Sequence, residues 1–158
     1  MTGNRSIDRI VVGIDGSEQS KLALRWAGTL STWTGAPILA VTTWHIPASY
    51  AWAAGSSYVP PGIDLQADAE RMQKELLAEI LADQPSLDVQ TLVREGSAAQ
   101  VLLEHCGAAS LLVVGSRGHG GFAGLLLGSV SSYCAEHAGC PVLVVHGDRP
   151  PVIANRPE

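Results

Sequence analysis

Five short apolar runs punctuate the chain: RIVVGI at 9–14, PILAVTTW at 37–44, LDVQTLV at 87–93, SLLVVG at 110–115 and PVLVVH at 141–146. Four are almost unbroken in Val, Ile and Leu, the pattern of strands buried on both faces. The third alternates, with Leu87, Val89, Thr91 and Val93 on one side, which suits a strand nearer a sheet edge. Between the runs the apolar period changes to that of a helix. Residues 18–33 set Leu22, Trp26 and Leu30 on one stripe beside Ala23 and Ala27. Residues 64–83 set Leu65, Ala69, Met72, Leu76 and Ile80 on a stripe, with Asp68, Arg71, Lys74 and Glu75 opposite. Two shorter helices are predicted over 98–106 and 129–138. Ser97 and Gln100 have the spacing of a capping box at the start of the first of these. Val130, Tyr133, Cys134 and His137 stand at core spacing in the second, where Gly139 ends the helix and Pro141 blocks its continuation.

The resulting order, β-α-β-α-β-α-β-α-β, predicts an α/β fold: one five-stranded parallel sheet with helices on both faces, joined by right-handed crossovers. A chain of 158 residues suits one such domain over 1–146. The Pro-rich tail, 147–158, has no period and is expected to be extended or disordered. Residues 45–62, HIPASYAWAAGSSYVPPG, make a long connection rich in Pro, Gly, Ser and aromatics. Tyr50, Trp52 and Tyr58 there either cover a ligand or partner surface or pack on a surface excursion.

Composition narrows the function classes. Hydrophobic residues make up 46% and charged residues 16%, with a net charge of -5. That balance excludes a disordered chain and argues against a nucleic acid partner. No apolar run approaches the ~20 residues of a membrane span. The N-terminal stretch carries a five-residue apolar run and no cleavage-like site, so a cytoplasmic location is expected. Cys106, Cys134 and Cys140 form no C-x-x-C pair and read as small buried hydrophobes; no metal site is expected.

Candidate chemistry concentrates in GSRGHGGFAGLLLGSVS, 115–131, which holds six of the 17 glycines. In open α/β sheets ligands bind beyond the carboxyl ends of the strands, where strand order reverses. If the first and fourth strands are neighbours, GIDGS (13–17), with the carboxylate of Asp15, meets GSRGHGG (115–121) there. Gly128, Ser129, Val130 and Ser131 stand at the start of the last helix, where unpaired N–H groups and the dipole favour an anion. Gly128 would let a phosphate approach the backbone, hydroxyls at Ser129 and Ser131 would add donors, and Gly115 and Gly118 would allow the tight turn out of the strand. No lysine follows Lys74, so a Walker A loop is excluded. Gly118, Gly120 and Ala123 match G-x-G-x-x-A, but after the fourth strand and without the later carboxylate of a dinucleotide fold. Asp15 either faces a ligand or caps the first helix with Ser17. Arg117 either contacts phosphate or ribose or is a solvated loop cation. His119 is read as exposed, and Glu95 as a loop residue near the same sheet end.

The spacing Gly115, Gly118, Gly128, Ser129 matches the G-x-x-G-x9-G-[ST] motif of the ATP-binding branch of the universal stress proteins. LLVVGSRGHGGFAGLLLGSVS, CPVLVVH and IVVGIDGSEQSKLALRWA also resemble that family, in order, over about 7–146. The resemblance implies a flavodoxin-like sheet of strand order 3-2-1-4-5 and a homodimer paired through the last strand, 141–146. It implies ATP, with or without Mg²⁺, as the ligand of a regulatory protein in the stress response. Carried over residue by residue, Gly13, Ile14 and Asp15 would line the adenosine end, and Val41 and Thr43 would contact adenine. Gly115, Arg117 and Gly118 would wrap ribose and the first phosphates; Gly128, Ser129, Val130 and Ser131 would hold the rest. Thr42-Thr43 departs from the His-Val or His-Ala common in the family. No catalytic residue is assigned: the only obvious carboxylate near the site is Asp15, and no His–Asp–Ser arrangement or metal-binding carboxylate pair is legible. The alternatives are a ligand-free dimeric interaction module and a weak ATP hydrolase.

Overall fold

The computed structural model describes residues 6–50, 59–108, 110–118 and 126–152. Trp52, Tyr58, His119, the glycines at 120, 121 and 124 and the end of the tail lie outside them. The elements alternate as the periodicity predicts: β1 (Arg9–Gly13), α1 (Glu18–Thr34), β2 (Ile38–Trp44), α2 (Leu65–Asp83), β3 (Val89–Glu95), α3 (Ala98–Glu104), β4 (Ser110–Gly115), α4 (Ser129–His137) and β5 (Val142–Val145). All pairings are parallel, in the order β3-β2-β1-β4-β5. This is the expected 3-2-1-4-5 sheet, with the alternating strand β3 at one edge.

The unbroken apolar runs have a direct cause. Along β1, Ile10 and Val12 pack on one face with Leu22, Ala23 and Ala27 of α1 and Leu76, Leu77 and Ile80 of α2. Val11 packs on the other with Ala99, Val101 and Leu102 of α3 and Cys134 of α4. Side chains alternate across a strand, so a sheet covered on both faces needs every position apolar. Cys106 and Cys140 join Cys134 in this second cluster. Burial pushes the Cys106 thiol up to about 12, reinforced by the neighbouring Cys140 and Cys134 sulfurs, and the Cys134 thiol up to about 11. Cys106 and Cys134 pack as protonated apolar groups.

Helix ends follow local chemistry. Ser17 caps α1, its hydroxyl oxygen accepting from Ser20 N–H at 3.2 Å, and Gly35 ends that helix at φ 78°. Asp64 caps α2 through Ala67 N–H at 2.9 Å. Local expectations at Ser97, at Tyr133 and His137, and at Glu95 are corrected. Ser97 occupies the N-cap of α3 without a side-chain cap bond, so the capping box is not made, and α3 ends at Glu104. Tyr133, 44% exposed, and His137 face outward and stack on each other 4.1 Å apart, because the core face of α4 is narrow and Cys134 fills it. Gln73 is buried on the apolar stripe of α2. Its amide donates to Ala40 O and Thr42 Oγ1 at 3.0 Å and to Leu92 O at 3.2 Å, tying the helix to the sheet. Glu95 is the last residue of β3 rather than part of a loop. The first residues of the tail also have a definite place: Gln19 Nε2 donates to Gly147 O at 2.7 Å, and Pro150 and Pro151 border a small cleft with Arg25 and Thr29 of α1.

Candidate functional site

Strand order reverses between β1 and β4. The chain leaves β1 towards β2 on one side, and β4 lies on the other, with Ile10 opposite Leu111 and Val12 opposite Val113. The loops that follow, 13–17 and 115–118, therefore open a crevice at the carboxyl ends of the strands. A cavity of about 260 Å³ occupies it, near the lower end of the ~300–1,000 Å³ common for small-molecule sites. All twelve residues singled out from the sequence border it: Gly13, Ile14, Asp15, Val41, Thr43, Gly115, Arg117, Gly118, Gly128, Ser129, Val130 and Ser131. Ser20, Ala98, Leu102, Val114 and Leu127 complete the wall among the described residues. Ala98 and Leu102 come from α3, whose short apolar pattern signalled a core helix but not a cavity wall.

Each polar feature has a local origin. Asp15 borders the crevice and holds the turn that precedes α1. Its Oδ1 accepts from Ser17 N–H at 2.9 Å and from the Ser17 hydroxyl at 2.5 Å, holding the turn into α1. Its Oδ2 lies against Gly118 across the crevice. Ser17, not Asp15, is the helix cap. Thr43 borders the cavity, whereas Thr42 points to the opposite face of β2 and accepts the Gln73 amide. Arg117 is exposed at the rim and is the one cation of the described wall.

The N-terminus of α4 is held differently from those of α1 and α2. Gly128 is the N-cap, with φ -75° and ψ 171°, and supplies no side-chain cap. Ser129 is thus the first helical residue, and the first turn of N–H groups opens beside the cavity. Ser131 departs from the expected hydroxyl donor to a ligand. It is buried, and its Oγ–H serves Ser116 O at 3.0 Å and Gly128 O at 3.1 Å. Its contribution to the wall is the start of the helix, not a spare hydroxyl. Ser116 is the junction: its N–H donates to Val145 O at 2.8 Å, and its carbonyl also accepts from Gly128 N–H at 2.6 Å.

The motif glycines serve different needs. A Cβ at Gly115 would stand 2.8–2.9 Å from Gln19 Cβ, C and O, so α1 itself excludes a side chain there. A Cβ at Gly118 would strike Asp15 Oδ2. Neither residue has a positive φ, so the tight-turn reason expected for them is replaced by close packing. Gly128 is the exception. A Cβ there would meet Arg117 Cα and Ser116 O at 3.5 Å, ordinary contact. The fold tolerates a side chain at 128; what glycine preserves there is open space at the helix N-terminus.

Residues 6–146 match the family model described as the universal stress protein family. The chain belongs to the universal stress protein family. A universal stress protein of Mycolicibacterium smegmatis is 36% identical over 145 residues, covering 88% of this chain and 48% of the relative. The chain thus spans about half the length of the curated relatives it matches. Among solved structures, the universal stress protein UspA of Lactobacillus plantarum superposes with a TM-score of 0.70 at 20% identity, over 89% of this chain and 98% of that one. A universal stress protein solved in complex with cAMP gives 0.65 at 24% identity, over 89% and 98%. Among the described residues, no helix is long and apolar enough to cross a membrane.

Proposed function

We propose that this universal stress protein domain binds an adenine nucleotide, ATP with or without Mg²⁺, as a cytoplasmic regulator in a stress response. The adenosine end would lie at Gly13–Asp15, Val41 and Thr43, and the phosphates at Arg117, Gly118 and Gly128–Ser131. The observation that carries the reading is the convergence of four separate stretches on one cavity that ends at an N-terminus without a side-chain cap. An anion there gains from oriented N–H groups and the helix dipole. The room for a Cβ at Gly128 is consistent with it: among the described residues, no steric contact forbids a side chain there, and glycine leaves the helix N-terminus open. A regulatory role is preferred to hydrolysis because Asp15, the only carboxylate of the described wall, already accepts two hydrogen bonds from Ser17. Homodimerisation through β5 is part of the proposal. Val142, Leu143 and Val144 are only half-buried on a sheet-edge strand, a liability that pairing with a second copy removes.

The test is to denature freshly purified protein and identify any released nucleotide by mass spectrometry, then to titrate ATP by calorimetry. Released ATP, and binding weakened at least about tenfold in Gly128→Ala, is the expected result. No release and no binding at millimolar ATP with Mg²⁺ would leave the cavity without its proposed ligand and favour the ligand-free interaction module.

A further inference from the structure

The Gln19 side chain is not part of the described cavity wall and bridges two segments. Its Oε1 accepts from Ser116 Oγ–H at 3.2 Å, and its Nε2 donates to Gly147 O at 2.7 Å. The backbone of the same residue forms the wall that keeps position 115 a glycine. Ser116 is buried between Gly115 and Arg117, two residues of the cavity wall, and its carbonyl holds the Gly128 N–H and the Ser131 hydroxyl. The chain after β5 then runs from Gly147, beside Gln19, to Pro150 and Pro151, beside Arg25 and Thr29. It thus follows α1 as a mostly exposed strap. The span agrees with geometry: ten residues of helix cover about 15 Å, as do four or five extended residues.

We propose that Gln19 is a positioning residue for the cavity and couples its occupancy to the strap over 147–151. The inference rests on the nucleotide reading of the site. An anion at the N-terminus of α4 draws on the N–H groups from Ser129 onward, and the N–H of Gly128, the residue before, is bonded directly to Ser116 O. Ser116 in turn orients the Gln19 amide, because one end of that amide must accept from the serine and the other must donate to Gly147. A shift of the 115–118 loop therefore reaches Gly147 directly through the Gln19 side chain, beside the backbone bond from Ser116 N–H to Val145 O. By reciprocity, release of the strap changes ligand affinity by the same factor that the ligand changes strap release.

The test is an ATP–Mg²⁺ titration of the ¹⁵N-labelled full chain followed by amide NMR signals. In the wild type, Gly147 and Asp148 are expected to move with Gly128–Ser131 at a common midpoint. Gln19→Met removes both bonds; it should raise that midpoint roughly threefold to tenfold and cut the shifts of Gly147 and Asp148 to less than about half, the remainder passing through the Ser116–Val145 backbone bond. Gln19→Glu keeps an acceptor for Ser116 but loses the donor to Gly147. It should raise the midpoint less and cut the strap shifts as far, an ordering that mere loss of packing would not produce. Movement of Gly128–Ser131 with Gly147 and Asp148 stationary in the wild type overturns the coupling while leaving the nucleotide reading intact. No movement anywhere overturns both.

Discussion

Gly115→Ala and Gly128→Ala exchange the same residue types within one motif, yet they should act on different properties. At 115 the new methyl would sit 2.8 Å from Gln19 Cβ and 2.9 Å from Gln19 C and O. Two of those atoms are helix backbone, so relief requires α1 to move from the sheet, where Leu22, Ala23 and Ala27 pack. Overpacking of this kind costs about 1–3 kcal/mol. With a urea dependence of ~1–3 kcal/mol per molar, the unfolding midpoint should fall on the order of 1 M. At 128 the methyl has 3.5 Å of clearance and φ is -75°. Stability should change by less than about 1 kcal/mol, because the restriction alanine places on the unfolded chain is offset by its being a poorer N-cap than glycine. Nucleotide affinity should follow the other order, with the larger specific loss in Gly128→Ala. The assay is urea unfolding by far-UV circular dichroism beside ATP calorimetry on both folded variants. A Gly115→Ala protein within about 0.5 kcal/mol of wild type, or a Gly128→Ala protein destabilised more than Gly115→Ala, would refute the assignment of these glycines.

Asp64→Ala removes the cap of α2 at a residue outside the cavity wall; it should cost about 1 kcal/mol in urea unfolding and leave ATP affinity within about twofold. Gln73→Leu leaves Ala40 O, Thr42 Oγ1 and Leu92 O without their buried donor and should cost about 1–3 kcal/mol, read by the same unfolding curves. Cys134 is raised from 9.0 to about 11 in the fold, so between those pH values the unfolded chain releases a proton that the native state keeps. Its contribution is therefore complete below pH 9 and is lost as pH rises through about 11, on the order of 2 kcal/mol. Stability of the wild type should fall more steeply over that window than stability of Cys134→Ala, and parallel slopes would disprove the shift.

The layout was legible because both sheet faces are covered. Continuous Val and Ile runs at 9–14, 110–115 and 141–146 have no other comfortable home than parallel strands, and the weaker alternation near 89–93 marked the edge. The cavity was legible because a switch point follows from strand order, and the glycine spacing identified its loops. Other features depend on distances between elements, which one-dimensional pattern does not carry. Gly115 is glycine because of Gln19, nearly a hundred positions away. Gln73 looks like a polar break in the stripe of α2 until the strand carbonyls above it are seen. The outward turn of Tyr133 and His137 depends on how little of α4 meets the sheet. Ser131 carries the residue type of a phosphate donor, but its hydroxyl is already committed to Ser116 and Gly128.

The pairing of β1 with β4 joins positions about 100 residues apart, Ile10 with Leu111. Such a contact is slow to form and late in synthesis, since the chain must first complete β1 through α3. The crevice does not exist before that pairing: chains that stop short of β4 carry half of one wall. A ligand of this crevice thus binds only finished molecules, and at a hundred times its Kd it adds about 2.7 kcal/mol to their stability and nothing to incomplete ones. Occupancy is in this sense a record of completed folding, set by the order in which the strands enter the sheet.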